Sequence, residues 1–256
     1  MKVLGLQLDI AWENPPANFT TVRRLLAAAA PAPGTLVALP EMFATGFSMN
    51  AAAIADPPDG PACQFLSATA RGFGITLLAG LATLGPDGRP RNQALVFSPE
   101  GHLVASYAKI KLFTPGGEPS HYTPGTAPVA FTLADWTIAP LICYDLRFPE
   151  LFRQMAARQR PELFVVVANW PEKRLHHWVR LLQARAIENQ AFVLAVNRTG
   201  RDPYYAYAGR SLVVDPQGEI LADAGSAEGW VAAELDLETL RQYRRGLPFL
   251  DDLDRL

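Results

Sequence analysis

Leu95-Val-Phe-Ser-Pro-Glu-Gly-His-Leu-Val-Ala105 and Leu212-Val-Val-Asp-Pro-Gln-Gly-Glu-Ile-Leu-Ala222 carry one pattern: an apolar strand, a Pro-x-Gly turn and a second apolar strand. Proline presets the backbone of the first turn residue and glycine supplies a left-handed one, so each stretch reads as a β-hairpin. Pro-x-Gly hairpins are common in themselves. The same hairpin in each half of the chain suggests two similar α/β halves sharing one core.

Around both hairpins, short continuous apolar runs alternate with segments of helical period. Strands are expected at residues 3–8, Leu36–Leu39, 75–82, 92–97, 104–108, Trp136–Ile142, Leu163–Ala168 and 192–196. Asn14-Pro-Pro is a helix-start signal, and Phe19, Val22, Leu25, Leu26 and Ala29 then share one face. Further helices are expected at residues 62–73, stopped by Gly74, and at 149–158, opened by Pro149. Leu175, Trp178, Leu182, Ala186 and Asn189 mark the face of a longer one. The last covers residues 237–245, with Asp236 as its cap, and residues 247–256 read as irregular. No low-complexity linker separates the halves, so residues 1–256 read as a single α/β domain with helices over the outer sheet faces.

Composition narrows the function classes. The 256 residues are 49% hydrophobic with a formal charge of -2, which gives no field to attract nucleic acid or an anionic membrane. Arg241-Gln-Tyr-Arg-Arg245 reads as a solvated helix end. The two cysteines, Cys63 and Cys143, form no CxxC pair and have no histidine at zinc-finger spacing. A reducing compartment and no metal are expected. The N-terminal MKVLGLQLDI is too short and alternating for a signal peptide, and no apolar run reaches membrane-spanning length. The expectation is a cytoplasmic protein that spans no membrane.

In open α/β sheets, sites form at the carboxyl ends of strands. Three such ends carry notable residues: Glu41 after LVALP, Cys143 after IAPLI, and Asn169-Trp170-Pro171 after FVVVA. A buried cysteine is usually a small hydrophobe. Cys143 differs because Tyr-Asp-Leu-Arg-Phe-Pro follows it, turning abruptly from apolar to polar before a helix. A strand–cysteine–turn–helix arrangement exposes the sulfur and aims backbone N–H groups at it. Asp145 and Arg147 are expected to brace that turn as a local pair. Cys63, inside an ordinary amphipathic helix, has no assigned role.

A thiol nucleophile needs a base. Of four histidines, His121 and His177 are candidates, and Glu41, in the apolar setting of Met42, Phe43 and Phe47, is the alternative. Lys109, if it points into the cleft, would stabilise an oxyanion.

Glu41, Lys109 and Cys143, in that order and each after a strand, resemble the catalytic triad of the nitrilase (carbon–nitrogen hydrolase) superfamily. The matching stretches are LPEMFATGF, YAKIKLF, PLICYDLRFPEL, GGEPSHYTPG with a second glutamate at Glu118, and ANWPEKRLHHWVRLLQARAIENQAFVLAVNRTG. Within the superfamily the chain is most similar to bacterial omega-amidases. Lys109 and Lys111 both lie near the lysine position, and the Tyr-x-Lys-x-x-Leu-Phe register favours Lys109. The resemblance implies a four-layer α-β-β-α sandwich of two α/β halves, no cofactor, and a homodimer paired across residues 150–158 and Leu175–Asn189. It also implies a thioester mechanism, with the Tyr144 N–H helping Lys109 hold the oxyanion and Glu118 in support. The expected substrate is a small α-keto acid with a terminal amide, such as 2-oxoglutaramate or 2-oxosuccinamate. Phe47, Tyr122 and Trp170 are the candidate pocket wall, with His177 near it. Arg147, Lys173, Arg174 and Arg210 are the candidate cations for the substrate carboxylate. Another amidase, carbamoylase or nitrilase activity, or a silent metabolite-binding scaffold, are the rival readings.

Overall fold

The computed structural model describes residues 1–255. The first half runs β1 (Lys2–Gln7), α1 (Pro15–Ala29), β2 (Leu36–Leu39), α2 (Ala51–Ile54), α3 (Pro61–Phe73), β3 (Thr76–Leu84), β4 (Pro90–Phe97) and β5 (Leu103–Ala108). The second runs β6 (Phe131–Leu133), β7 (Trp136–Ile142), α4 (Pro149–Gln159), β8 (Leu163–Ala168), α5 (Leu175–Asn189) and β9 (Phe192–Asn197). It continues through β10 (Thr199–Arg201), β11 (Ala206–Ala208), β12 (Leu212–Val214), β13 (Ile220–Asp223), β14 (Gly229–Glu234) and α6 (Leu237–Gly246).

Two six-stranded sheets result, ordered β14-β1-β2-β3-β4-β5 and β13-β12-β9-β8-β7-β6. Each has three parallel central strands, β1–β3 or β7–β9, bordered by an antiparallel edge strand and by an antiparallel hairpin. The echoed stretches are those hairpins. Both carry a register irregularity at the same place in the pattern, Val96/Phe97 in β4 and Val213/Val214 in β12. The internal repeat is therefore real at the level of strand order.

Both sheet faces are covered, which explains the continuous apolar runs. In β2, Leu36 and Ala38 pack in the cluster shared with the second sheet, while Val37 and Leu39 pack with Val22, Leu26 and Leu66 of α1 and α3. On the other side, α5 buries Trp178, Leu182 and Ala186. The layers are α-β-β-α. The cap signals act as expected: Asn14 accepts from Ala17 N–H, Gly74 ends α3 with φ of 63°, and Asp236 accepts from Glu238 N–H.

Two expectations at the C-terminal end are corrected. Residues 249–255 form a 3-10 helix rather than irregular chain, and Leu256 lies outside the described residues. Arg244 is not solvated: its guanidinium donates to the carbonyls of Gln190, Arg160 and Pro161, tying α6 to the second half. Among the described residues no helix is long and apolar enough to cross a membrane.

Candidate functional site

Glu41 follows β2, Cys143 follows β7 and Asn169 follows β8, each at the carboxyl end of a parallel strand. Lys109 follows the antiparallel β5. β2 and β8 hold equivalent places in the two sheets, and their ends touch. The Asn169 N–H donates to Glu41 Oε2 at 2.8 Å, and Asn169 Nδ2 donates to the Glu41 carbonyl at 2.6 Å. Gly80 on β3 makes room for this turn: a Cβ there would stand 2.4 Å from Glu41 Cα. Only glycine permits so close a backbone approach.

Glu41, Lys109 and Glu118 are fully buried. Lys109 Nζ lies 2.8 Å from Glu41 Oε1 and 2.9 Å from Glu118 Oε2. Asn92 Nδ2 bridges the same carboxylates, donating to Glu41 at 2.7 Å and to Glu118 at 2.9 Å. Phe113 N–H donates to Glu118 at 2.5 Å. Burial alone would drive the proton off Lys109, but the charges of Glu118 and Glu41 outweigh it and hold the ammonium above the ordinary lysine range. Lys111 is elsewhere, 3.6 Å from the exposed Glu150, so Lys109 is the lysine of the cluster.

Cys143 adopts φ of 45°, uncommon for a residue with a side chain, and opens the 3-10 turn Cys143–Arg147 ahead of α4. Its Sγ lies 3.9 Å from the Asn169 carbonyl. Burial pushes the thiol well above its ordinary pKa, and the Glu41 charge adds to this while Lys109 opposes it. The resting sulfur is therefore a thiol beside a carboxylate. Cys63 is pushed up to about 12 by burial and Asp56, and it sits in α3 away from this cluster.

A small cleft opens over Cys143. Of the candidate pocket residues, Phe47, Arg147 and Trp170 line it, together with Tyr144. Tyr122 and His177 do not. Tyr122 is buried one layer behind, donating its hydroxyl to the Ser48 carbonyl at 2.7 Å. His177 stands behind Arg147, with Nδ1 3.3 Å from its guanidinium, and His121 is exposed. Neither histidine lines the cavity that contains Cys143, so the histidine-base alternative is not supported by geometry.

The expected Asp145–Arg147 pair does not form. Arg147 lies over the Trp170 ring at 4.6 Å. Asp145 is buried and accepts from Tyr107 Oη, Lys111 N–H and Ile142 N–H. Of the other cation candidates, Arg174 lines the cavity over Phe113, Arg210 pairs with Asp223, and Lys173 is exposed. Sequence reasoning missed Asn92, Phe113, Tyr205 and Tyr207. Asn92 left no clear signal: it is buried, but it lies in the polar start of β4, between Arg91 and Gln93. Among the described residues no group of three or more His, Cys, Asp or Glu is arranged to hold a metal ion.

The family model for carbon-nitrogen hydrolase matches residues 5–245. The chain is 36% identical to a 2-oxoglutaramate amidase of Bacillus subtilis, covering 97% of this chain and 95% of that protein. It is 39% identical to the omega-amidase YafV of Escherichia coli K12, covering 99% and 97%. The crystal structure of XC1258 from Xanthomonas campestris, a CN-hydrolase superfamily protein with an arsenic adduct in its active site, superposes with a TM-score of 0.93. That alignment has 33% identity and covers 98% of this chain and 96% of the other. By sequence over nearly its full length and by fold, this chain belongs to the carbon–nitrogen hydrolase family.

Proposed function

We propose that this enzyme hydrolyses the terminal amide of small α-keto acid ω-amides, 2-oxoglutaramate and 2-oxosuccinamate, through a thioester on Cys143. The observation that carries the reading is one buried cluster holding Glu41, Lys109 and Glu118 within hydrogen-bond distance, beside a strained cysteine at the floor of a small cleft.

Glu41 takes the Cys143 proton as the sulfur attacks the amide carbon. Removing the proton only during attack suits a thiol whose surroundings disfavour the free thiolate. The C=O electron pair moves onto oxygen, which the Lys109 ammonium and the Tyr144 N–H hold. One such donor contributes about 3–4 kcal/mol to the transition state. Glu41 then protonates the nitrogen, the C–N bond breaks, and ammonia leaves. Water, deprotonated by Glu41 and oriented by Glu118, adds to the thioester. Collapse of the second intermediate breaks the C–S bond, returning the proton to sulfur and releasing the acid.

Arg147 and Arg174 are the cations for the substrate carboxylate. Both line the cleft, each depends on an aromatic face for support, and among the described residues neither has a carboxylate partner. The Arg174 charge lowers the Arg147 pKa after the larger effect of burial, so an anion between them relieves a repulsion. Phe47 and Trp170 form the apolar wall. The same reading makes residues 1–256 one domain of a cytoplasmic homodimer paired across residues 150–158 and Leu175–Asn189, where Ile187 is exposed.

The test is ammonia release from a panel: 2-oxoglutaramate, a neutral amide of the same length, a nitrile and an N-carbamoyl amino acid. The keto acid amide is expected to have the highest kcat/KM. A nitrile or carbamoyl compound turned over faster would overturn the substrate assignment.

A further inference from the structure

Cys143 and Lys109 come from different sheets, so something must fix the distance between them. The Asp145 carboxylate connects their segments. On its own turn it accepts from the Ile142 N–H at 3.0 Å, the residue before the cysteine. From the opposite sheet it accepts from Tyr107 Oη at 2.7 Å and Lys111 N–H at 2.8 Å. Tyr107 and Lys111 stand two residues either side of Lys109. We infer that Asp145 is a positioning residue, which sets the register between the Cys143 turn and the Lys109 segment and so holds the sulfur and the ammonium in attack geometry.

Three further observations support this. Cys143 has φ of 45°, a conformation that persists only where its surroundings fix it. Asp145 is completely buried, and all three of its partners are donors. The residue that sequence reasoning paired with it, Arg147, faces the cleft instead.

The donors also dictate which form works. Tyr107 is held well above its ordinary pKa by burial and by Asp145, so it stays a donor. Protonation turns one carboxylate oxygen into an O–H whose nearest acceptor is Tyr107 Oη, so the Tyr107 hydroxyl loses its acceptor on Asp145 and the bonds from the two backbone N–H groups weaken. Burial pushes Asp145 up to about 6, against the opposing bonds from Lys111, Tyr107 and Ile142 and the charge of Lys109. An acid limb near that pH follows in kcat. The charged or titratable groups that act on it are Tyr107 and Lys109, and both keep their protons at that pH.

The inference rests on the Cys143–Lys109 reading, so wild type and Cys143→Ala are run alongside; an active Cys143→Ala would sink that reading and leave nothing for Asp145 to position. The variants are Asp145→Asn and Tyr107→Phe, with kcat, KM and Cys143 alkylation by iodoacetamide normalised to folded protein. A misplaced reacting group costs about 100-fold, so Asp145→Asn is expected to lose kcat on that scale with KM within about threefold. Alkylation is expected to slow, and the acid limb near 6 to disappear. Tyr107→Phe, which removes one donor and leaves the carboxylate, is expected to lower kcat by about tenfold with KM unchanged. If Asp145→Asn does not fold, Tyr107→Phe decides. Wild-type kcat per folded molecule, or an equal loss in KM with kcat intact, would overturn the proposal.

Discussion

Asn169 grips Glu41 twice, its N–H on the carboxylate at 2.8 Å and its side-chain amide on the Glu41 carbonyl at 2.6 Å. This joins the equivalent strand ends of the two halves at the proposed base. The Asn169→Ala protein keeps the backbone bond and loses the other. A buried carbonyl left without its donor costs about 1–3 kcal/mol. We expect that loss in urea denaturation, with kcat down about tenfold or more because Glu41 is less firmly aimed.

Lys109 is the only cation among the described residues in contact with both Glu41 and Glu118. Lys109→Met leaves two carboxylates buried together, and breaking a buried pair costs about 3–5 kcal/mol. Adding Glu118→Gln is expected to recover part of that stability while activity stays lost. Independent losses from the two changes would show that the charges are not coupled.

Arg147→Ala and Arg174→Ala should each raise KM for 2-oxoglutaramate by about tenfold or more, from loss of a charge-assisted bond. A neutral amide of the same length should be nearly unaffected. Equal losses for both substrates would assign the arginines to the fold rather than to the carboxylate.

Asp145 makes stability and activity respond oppositely to acid. Its folded pKa, about 6, lies above the ordinary value of 3.8. The folded state therefore binds more protons between these values, so this group's contribution to stability is present at low pH and is lost as pH rises through about 6. Wild type minus Asp145→Asn should show a stability difference that shifts towards wild type on acidification. Urea midpoints on either side of that pH measure it. A difference independent of pH would contradict the shift.

Much of this was legible in the sequence, and the reasons are physical. The hairpins announce the repeat because turn chemistry is local: proline and glycine mark it without reference to the rest of the chain. Glu41, Cys143 and Asn169 stand out because each ends a buried run at a strand terminus. The pairings were less accessible. Asp145 and Arg147 are two residues apart and oppositely charged, yet the 3-10 turn sends one into the core and the other into the cleft. Asn92, Tyr205 and Tyr207 reach the site by sheet and hairpin register, which sequence spacing does not encode. Tyr122 is an aromatic candidate for the wall, but the 3-10 turn Glu118–Ser120 before it leads its hydroxyl to the Ser48 carbonyl instead.

Turnover is expected to pass through a covalent acyl group on Cys143. The direct measurement is peptide mass spectrometry after acid quenching with 2-oxoglutaramate in excess. We predict an acyl adduct on the peptide containing Cys143, absent from the peptide containing Cys63 and absent in Cys143→Ala. Continued ammonia release by Cys143→Ala, or an adduct on another residue, would contradict the account.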